Sequence, residues 1–206
     1  MEIYFYYVLT GLVVALPVGA MTVEMTKQGL KNGFIHGWAV GLGGMTMDAA
    51  LIIALYLGLA SILALPYVQL PLWIIGALFL LYLAYDSIKN ADKDITLAGE
   101  HTSKSFWSTY KNGLLVAVSP GNLVFWVSVF GAILAKSYST NQFGIAGVGI
   151  LTGILLHDVV LLALVSVSRR AMDRQMIKNT SIIAGILLIG FALYFVYEFI
   201  RGIQNL

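Results

Sequence analysis

Phe79-Leu80-Leu81-Tyr82-Leu83-Ala84-Tyr85-Asp86-Ser87-Ile88-Lys89 returns 112 positions later as Phe191-Ala192-Leu193-Tyr194-Phe195-Val196-Tyr197-Glu198-Phe199-Ile200-Arg201. Phe, Leu, two Tyr, Ile, an acid and a base recur in register. Two further markers precede each copy in the same order: Pro17 and Pro120, 103 positions apart, and Asp48 and Asp158, 110 apart. Apolar helices match by chance at Leu and Ile, but seldom at Pro, Asp and Tyr-x-x-Tyr-acid in sequence, so the chain reads as an internal duplication. Each copy holds three apolar runs. An odd number of crossings turns the second copy upside down relative to the first. The predicted fold class is therefore all-α integral membrane: six transmembrane helices as two inverted three-helix repeats, residues 1–88 and 106–206, in a single membrane domain 1–206 joined by a polar linker at 89–105.

The composition agrees. Of 206 residues, 59% are hydrophobic and 11% charged, with a mean hydropathy of +0.87, against about one quarter charged in a soluble domain. The bilayer is the first partner. With no cysteine, disulfide scaffolds, thiol relays and Cys-based metal sites are excluded. A net charge of +2 is too small to imply nucleic acid.

The predicted spans are about 4–23, 33–61, 68–88, 107–135, 143–168 and 182–200, each long enough to cross about 30 Å of hydrocarbon. The first lacks a basic leader and a cleavage signal and is read as a retained span. It is interrupted by Leu16-Pro17-Val18-Gly19-Ala20, where proline removes a donor and glycine tolerates unwinding. Glu24, Lys27 and Lys31 read as a short polar connection. Gly33, Gly37 and Gly41 form a small-residue face at i, i+4 spacing that admits a close helix neighbour. Assigning the loops alternately gives Lys27, Lys31, Lys89, Lys93, Lys104, Lys111, Arg169, Arg170, Arg174 and Lys178 to one side, and Lys136 and Arg201 to the other. That ten-to-two split places both termini outside the cytoplasm.

The chemistry concentrates on a few residues. From Asn32 to Tyr85 the only ionisable side chains besides tyrosine are His36 and Asp48. A charged group at bilayer depth costs at least about 2.5–3.5 kcal/mol, which marks it as functional unless a neighbouring helix satisfies it. His36 is the one basic group in that run able to neutralise Asp48. Duplicated buried acids and interrupted helices are the build of secondary transporters, whose site lies at the repeat interface. The expected site is Asp48 and Asp158 facing each other, with the backbone opened at Pro17, Gly19, Pro120 and Gly121, and Asn122 as a neutral contact. His157 stands beside Asp158, about 100° away around the helix, as a proton relay or a plain hydrogen-bonded histidine. Glu24 lines the entrance on the basic side or makes a surface pair with Lys27 at i+3.

Leu16-Pro17-Val18-Gly19-Ala20, Lys27-Gln28-Gly29-Leu30-Lys31-Asn32-Gly33, Gly41-Leu42-Gly43-Gly44 with Asp48, and Leu57-Gly58-Leu59 together resemble the LysE (lysine exporter, RhtB-like) family of bacterial amino-acid exporters. Ser119-Pro120-Gly121-Asn122 with Phe125-Trp126 is similar to that family's second motif. Ala20 stands where the family carries a second proline, and Ser119-Pro120 where it carries Asn-Pro. The resemblance implies export of amino acids or related molecules from a bacterial cytoplasmic membrane, driven by proton exchange, without a cofactor, in a chain able to form a homodimer. The alternatives are a divalent-metal exporter using the carboxylates with His36 and His157, and a membrane scaffold that transports nothing. No H-E-x-x-H, G-x-S-x-G or paired Cys supports an enzyme.

Overall fold

A computed structural model describes residues 2–16, 19–58, 65–92, 95, 104–118, 126 and 140–204. Among them are seven α-helices and no strand: α1 (Glu2–Ala15), α2 (Ala20–Asn32), α3 (Phe34–Tyr56), α4 (Pro66–Lys89), α5 (Phe106–Ala117), α6 (Thr140–Arg170) and α7 (Arg174–Gln204). Four of them, α3, α4, α6 and α7, are long and apolar enough to cross a membrane, and α1 with α2 makes a fifth if the bent pair counts as one span. The fourth predicted span, 107–135, is represented only by α5, Val118 and Trp126 among the described residues.

The first span differs from its prediction. The helix stops at Ala15, and α2 sets off at 80° to α1 and runs on to Asn32. The supposed polar connection at Glu24 to Lys31 is thus helical, and nine of the 13 residues of α2 are buried. Pro17 itself lies outside the described residues. The third span begins earlier than predicted, with Pro66 in the first turn of α4, where its missing N–H is harmless, and Pro71 inside the helix.

Three pairs of helices carry most of the packing: α4 on α7, α1 on α6, and α3 on α5. The first pair is antiparallel, since Gly202 meets Leu70, Phe195 meets Gly76 and Gly185 meets Ile88. Trp73, Leu80 and Leu83 interleave there with Leu188, Ala192 and Phe195. The other two pairs are parallel, and glycines set their spacing. A Cβ at Gly43 would overlap the Tyr110 carbonyl, with Leu114 N the next atom, and one at Gly113 would overlap the Val40 carbonyl. On the other side, Gly153 faces the Val8 carbonyl and Leu12 N, and Gly11 the Ile150 carbonyl. Contacts this close let backbone lie on backbone, the packing available to helices in lipid.

Gly33 joins α2 to α3 with φ +95° and ψ 173°, a region open to glycine almost alone. The turn folds α2 antiparallel onto α3, where Gly37 lies against Gly29 and the Met25 carbonyl. The predicted small-residue face is used in this way. One end of the bundle gathers basic residues: Lys31 Nζ donates to the Asn90 carbonyl (2.7 Å), Arg169 Nε to the Leu30 carbonyl (2.9 Å) and Arg174 to the Ile95 carbonyl (3.0 Å). The outward faces are apolar, as at Phe5, Leu9 and Val13 of α1. Tyr82, Tyr85, Tyr194 and Tyr197 are exposed too, in keeping with aromatic belts.

Candidate functional site

A cavity of about 860 Å³ lies between α2, α3, α6 and α7. It falls there because α2 starts inside the bundle: Gly19, Met21, Thr22 and Met25 form one wall, and Ile186, Gly190 and Phe195 of α7 another. The floor of α3 is glycine at Gly41 and Gly44, which leaves room for side chains from facing helices. A Cβ at Gly41 would come within 2.9 Å of Asp158 Oδ2, and one at Gly44 would meet the Met21 side chain.

Both aspartates reach this space. Asp48 descends from α3 and accepts a hydrogen bond from Trp126 Nε1 at 2.7 Å. Asp158 comes from α6, is buried, and has Oδ1 3.2 Å from His157 Nδ1. His157 lines the cavity as well, so the two adjacent side chains converge despite their angular offset. The remaining lining is largely apolar, with no Lys or Arg among its described members. A space whose described lining offers two carboxylates and one imidazole but no Lys or Arg favours a ligand bearing an ammonium group and an uncharged body.

The other predicted residues fall out differently. Gly19 lines the cavity next to the first turn of α2, whereas Pro17, Pro120, Gly121 and Asn122 lie outside the described residues. His36 does not serve Asp48; it is buried three turns away, with Nδ1 3.4 Å from Thr109 Oγ1. Among the described residues no three His, Asp or Glu side chains gather as a metal site would require. Glu24 is not part of a surface pair. It is wholly buried, 2.5 Å from Lys27 Nζ, and accepts from Gln28 Nε2 at 2.8 Å and from Asn112 Nδ2 at 3.4 Å.

That buried set was missed by sequence reasoning. Lys27 Nζ also donates to Ser87 Oγ at 2.9 Å, and Asn32 Nδ2 to Gln28 Oε1 at 2.8 Å. The available signal was spacing: Glu24, Lys27, Gln28 and Lys31 recur at three and four residues, one helical face rather than a loop.

The model of the LysE type translocator family matches residues 12–199. The chain belongs to the LysE type translocator family. It is 33% identical over 205 residues, 98% of each chain, to the Bacillus subtilis (strain 168) protein named "Putative amino acid efflux protein YcgF". It is 27% identical over 134 residues, 65% of this chain and 66% of the other, to the "Chemotactic transduction protein ChpE" of Pseudomonas aeruginosa. No solved structure matches the chain. Family membership and the apolar helices make it a multi-pass membrane protein of transport.

Proposed function

We propose that the chain exports amino acids or closely related molecules from the bacterial cytoplasm in exchange for protons, with Asp48 and Asp158 alternately holding the substrate's ammonium group and a proton. The observation that carries the reading is the opening of both aspartates, from α3 and α6, into one cavity with no Lys or Arg among its described lining residues. Burial favours the protonated carboxyl and an arriving cation favours the ionised one, so substrate and proton compete for the same groups. His157, in contact with Asp158, is the relay by which the proton leaves. The backbone N–H groups at Gly19 and the start of α2 face the substrate's carboxylate. The name of the Bacillus relative, which covers nearly the whole chain, supports amino acids as the substrate class.

The architecture that goes with this reading is two three-helix units, 1–88 and 106–206, of opposite orientation, with 89–105 and the basic end in the cytoplasm and both termini outside. Its support is the equivalence of the glycine contacts. Gly43 on Tyr110 and Leu114 corresponds to Gly153 on Val8 and Leu12, and Gly113 on Val40 corresponds to Gly11 on Ile150. The offsets are 110 for α3 onto α6 and 102 for α1 onto α5, close to those of the sequence repeat. Reconstitution into proteoliposomes tests the mechanism: Asp48→Asn and Asp158→Asn each abolish amino-acid transport driven by a pH gradient while remaining monodisperse in detergent. Wild-type rates in both variants would reject it.

A further inference from the structure

At the start of α2 the cavity is lined by Gly19, Ala20, Met21, Thr22 and Met25, and not by Glu24. A second, much smaller and polar crevice, about 10 Å³, begins two residues further along α2 and is lined by Lys27, Gln28, Lys31, Ser87, Asn90 and Lys104, among others. Lys27 lines that crevice and Glu24 lines neither space; the two are paired where the cavity and the crevice adjoin, with side chains 2% and 0% exposed. The pair is therefore the partition between the cavity and the basic end of the bundle.

A buried carboxylate and ammonium side by side are, chemically, the two ends of an amino acid. A zwitterion entering from the basic end could exchange partners with them: its ammonium taking the place of Lys27 Nζ against Glu24, its carboxylate the place of Glu24 against Lys27. The surroundings suit that exchange. Gln28 and Asn112 already donate to Glu24 Oε1, and Ser87 accepts from Lys27 while donating to the Leu83 carbonyl at 2.6 Å. Each charge would keep neutral hydrogen-bond partners while its ionic partner changes. Separating a buried pair without replacement is strongly unfavourable, so the partition stays shut until a molecule carrying both charges arrives.

We propose that Glu24 and Lys27 form a second binding station, specific for zwitterionic amino acids, through which substrate passes from the cytoplasmic end to the Asp48 and Asp158 cavity. The inference rests on the export reading above and adds a site and a selectivity to it. The test compares two double variants in proteoliposomes with a mixture of radiolabelled L-leucine, L-threonine and L-lysine. Glu24→Gln with Lys27→Met removes both charges together and leaves neither one buried alone, so it is expected to fold. Glu24→Lys with Lys27→Glu keeps a pair in reversed order. The neutral double variant is expected to lose at least tenfold in transport, and the reversed one to recover a third or more of the wild-type rate.

Because the protein has no cysteine, a single Thr22→Cys added to each background reports by thiol labelling whether the cavity is intact. Transport by the neutral double variant within twofold of wild type, or equal loss in both double variants with normal Thr22→Cys labelling, overturns the station and leaves the export reading standing. A wild-type protein that moves none of the three amino acids overturns both.

Discussion

Adding one methyl group at Gly113 or at Gly11 should do unequal harm compared with the same change at Gly144. A Cβ at Gly113 overlaps the Val40 carbonyl, and one at Gly11 the Ile150 carbonyl, in both cases backbone with no rotamer to yield. A carbon and a carbonyl oxygen settle at about 3.3–3.6 Å, so each helix pair would have to part by about 1 Å or more along its contact. Overpacking of that kind costs about 1–3 kcal/mol. Alanine returns about 0.8–1.0 kcal/mol of helix propensity at any helical glycine. Gly144, with nothing among the described residues within 4 Å of its Cβ position, takes the gain without the penalty. The spread between the classes is therefore about 1–3 kcal/mol, or about 2–12 °C in melting temperature for a chain of this size. Thermal unfolding in detergent, followed by size-exclusion fluorescence, measures it. Gly11→Ala and Gly113→Ala should fall together and below Gly144→Ala. If either melts at or above the Gly144 variant, the close parallel contacts of α1 with α6 and of α3 with α5 are wrong.

Gly33→Ala should destabilise by about 1–3 kcal/mol, because alanine cannot hold φ +95° without strain, and its Cβ would sit 3.1 Å from Arg169; the same melting assay reads it. Trp126→Phe replaces the buried indole by a smaller ring and deletes the 2.7 Å donor to Asp48; a hydrogen bond to a charged group contributes about 1.5–3 kcal/mol, so initial transport rates should fall by tenfold or more and the melting temperature should fall by several degrees as well. Reporter fusions at both ends should be active only on the outer side of the cytoplasmic membrane, and cytoplasmic activity from either end would overturn the assigned orientation.

Much of the helical layout was legible because lipid imposes it. Long apolar runs became α3, α4, α6 and α7, and Asp48 and Asp158 were conspicuous as acids within runs that hold no Lys or Arg. What was hidden depended on partners far along the chain. Glu24 and Lys27 look like a solvated pair when only their neighbours are considered; they are buried because Ser87 and Asn112 come to meet them, 60 and 88 positions later. The same holds for His36, whose partner is Thr109 rather than Asp48. Composition shows that a polar segment needs partners, while which ones it finds is settled by helix packing.

The burial of α2 bears on how the chain is made. Two lysines, a glutamate, a glutamine and an asparagine lie on a 13-residue helix, whose polar groups gain nothing from entering lipid unpaired. Such a helix has no reason to leave the insertion machinery for lipid by itself. Its stabilising neighbours Ser87, Asn112 and Arg169 are translated only afterwards, the last when most of the polypeptide already exists. Biogenesis must hold the early segment at the insertion machinery, or at the membrane surface, until the late ones arrive. A nascent chain cut short before α6 would be quality-control substrate rather than half a transporter.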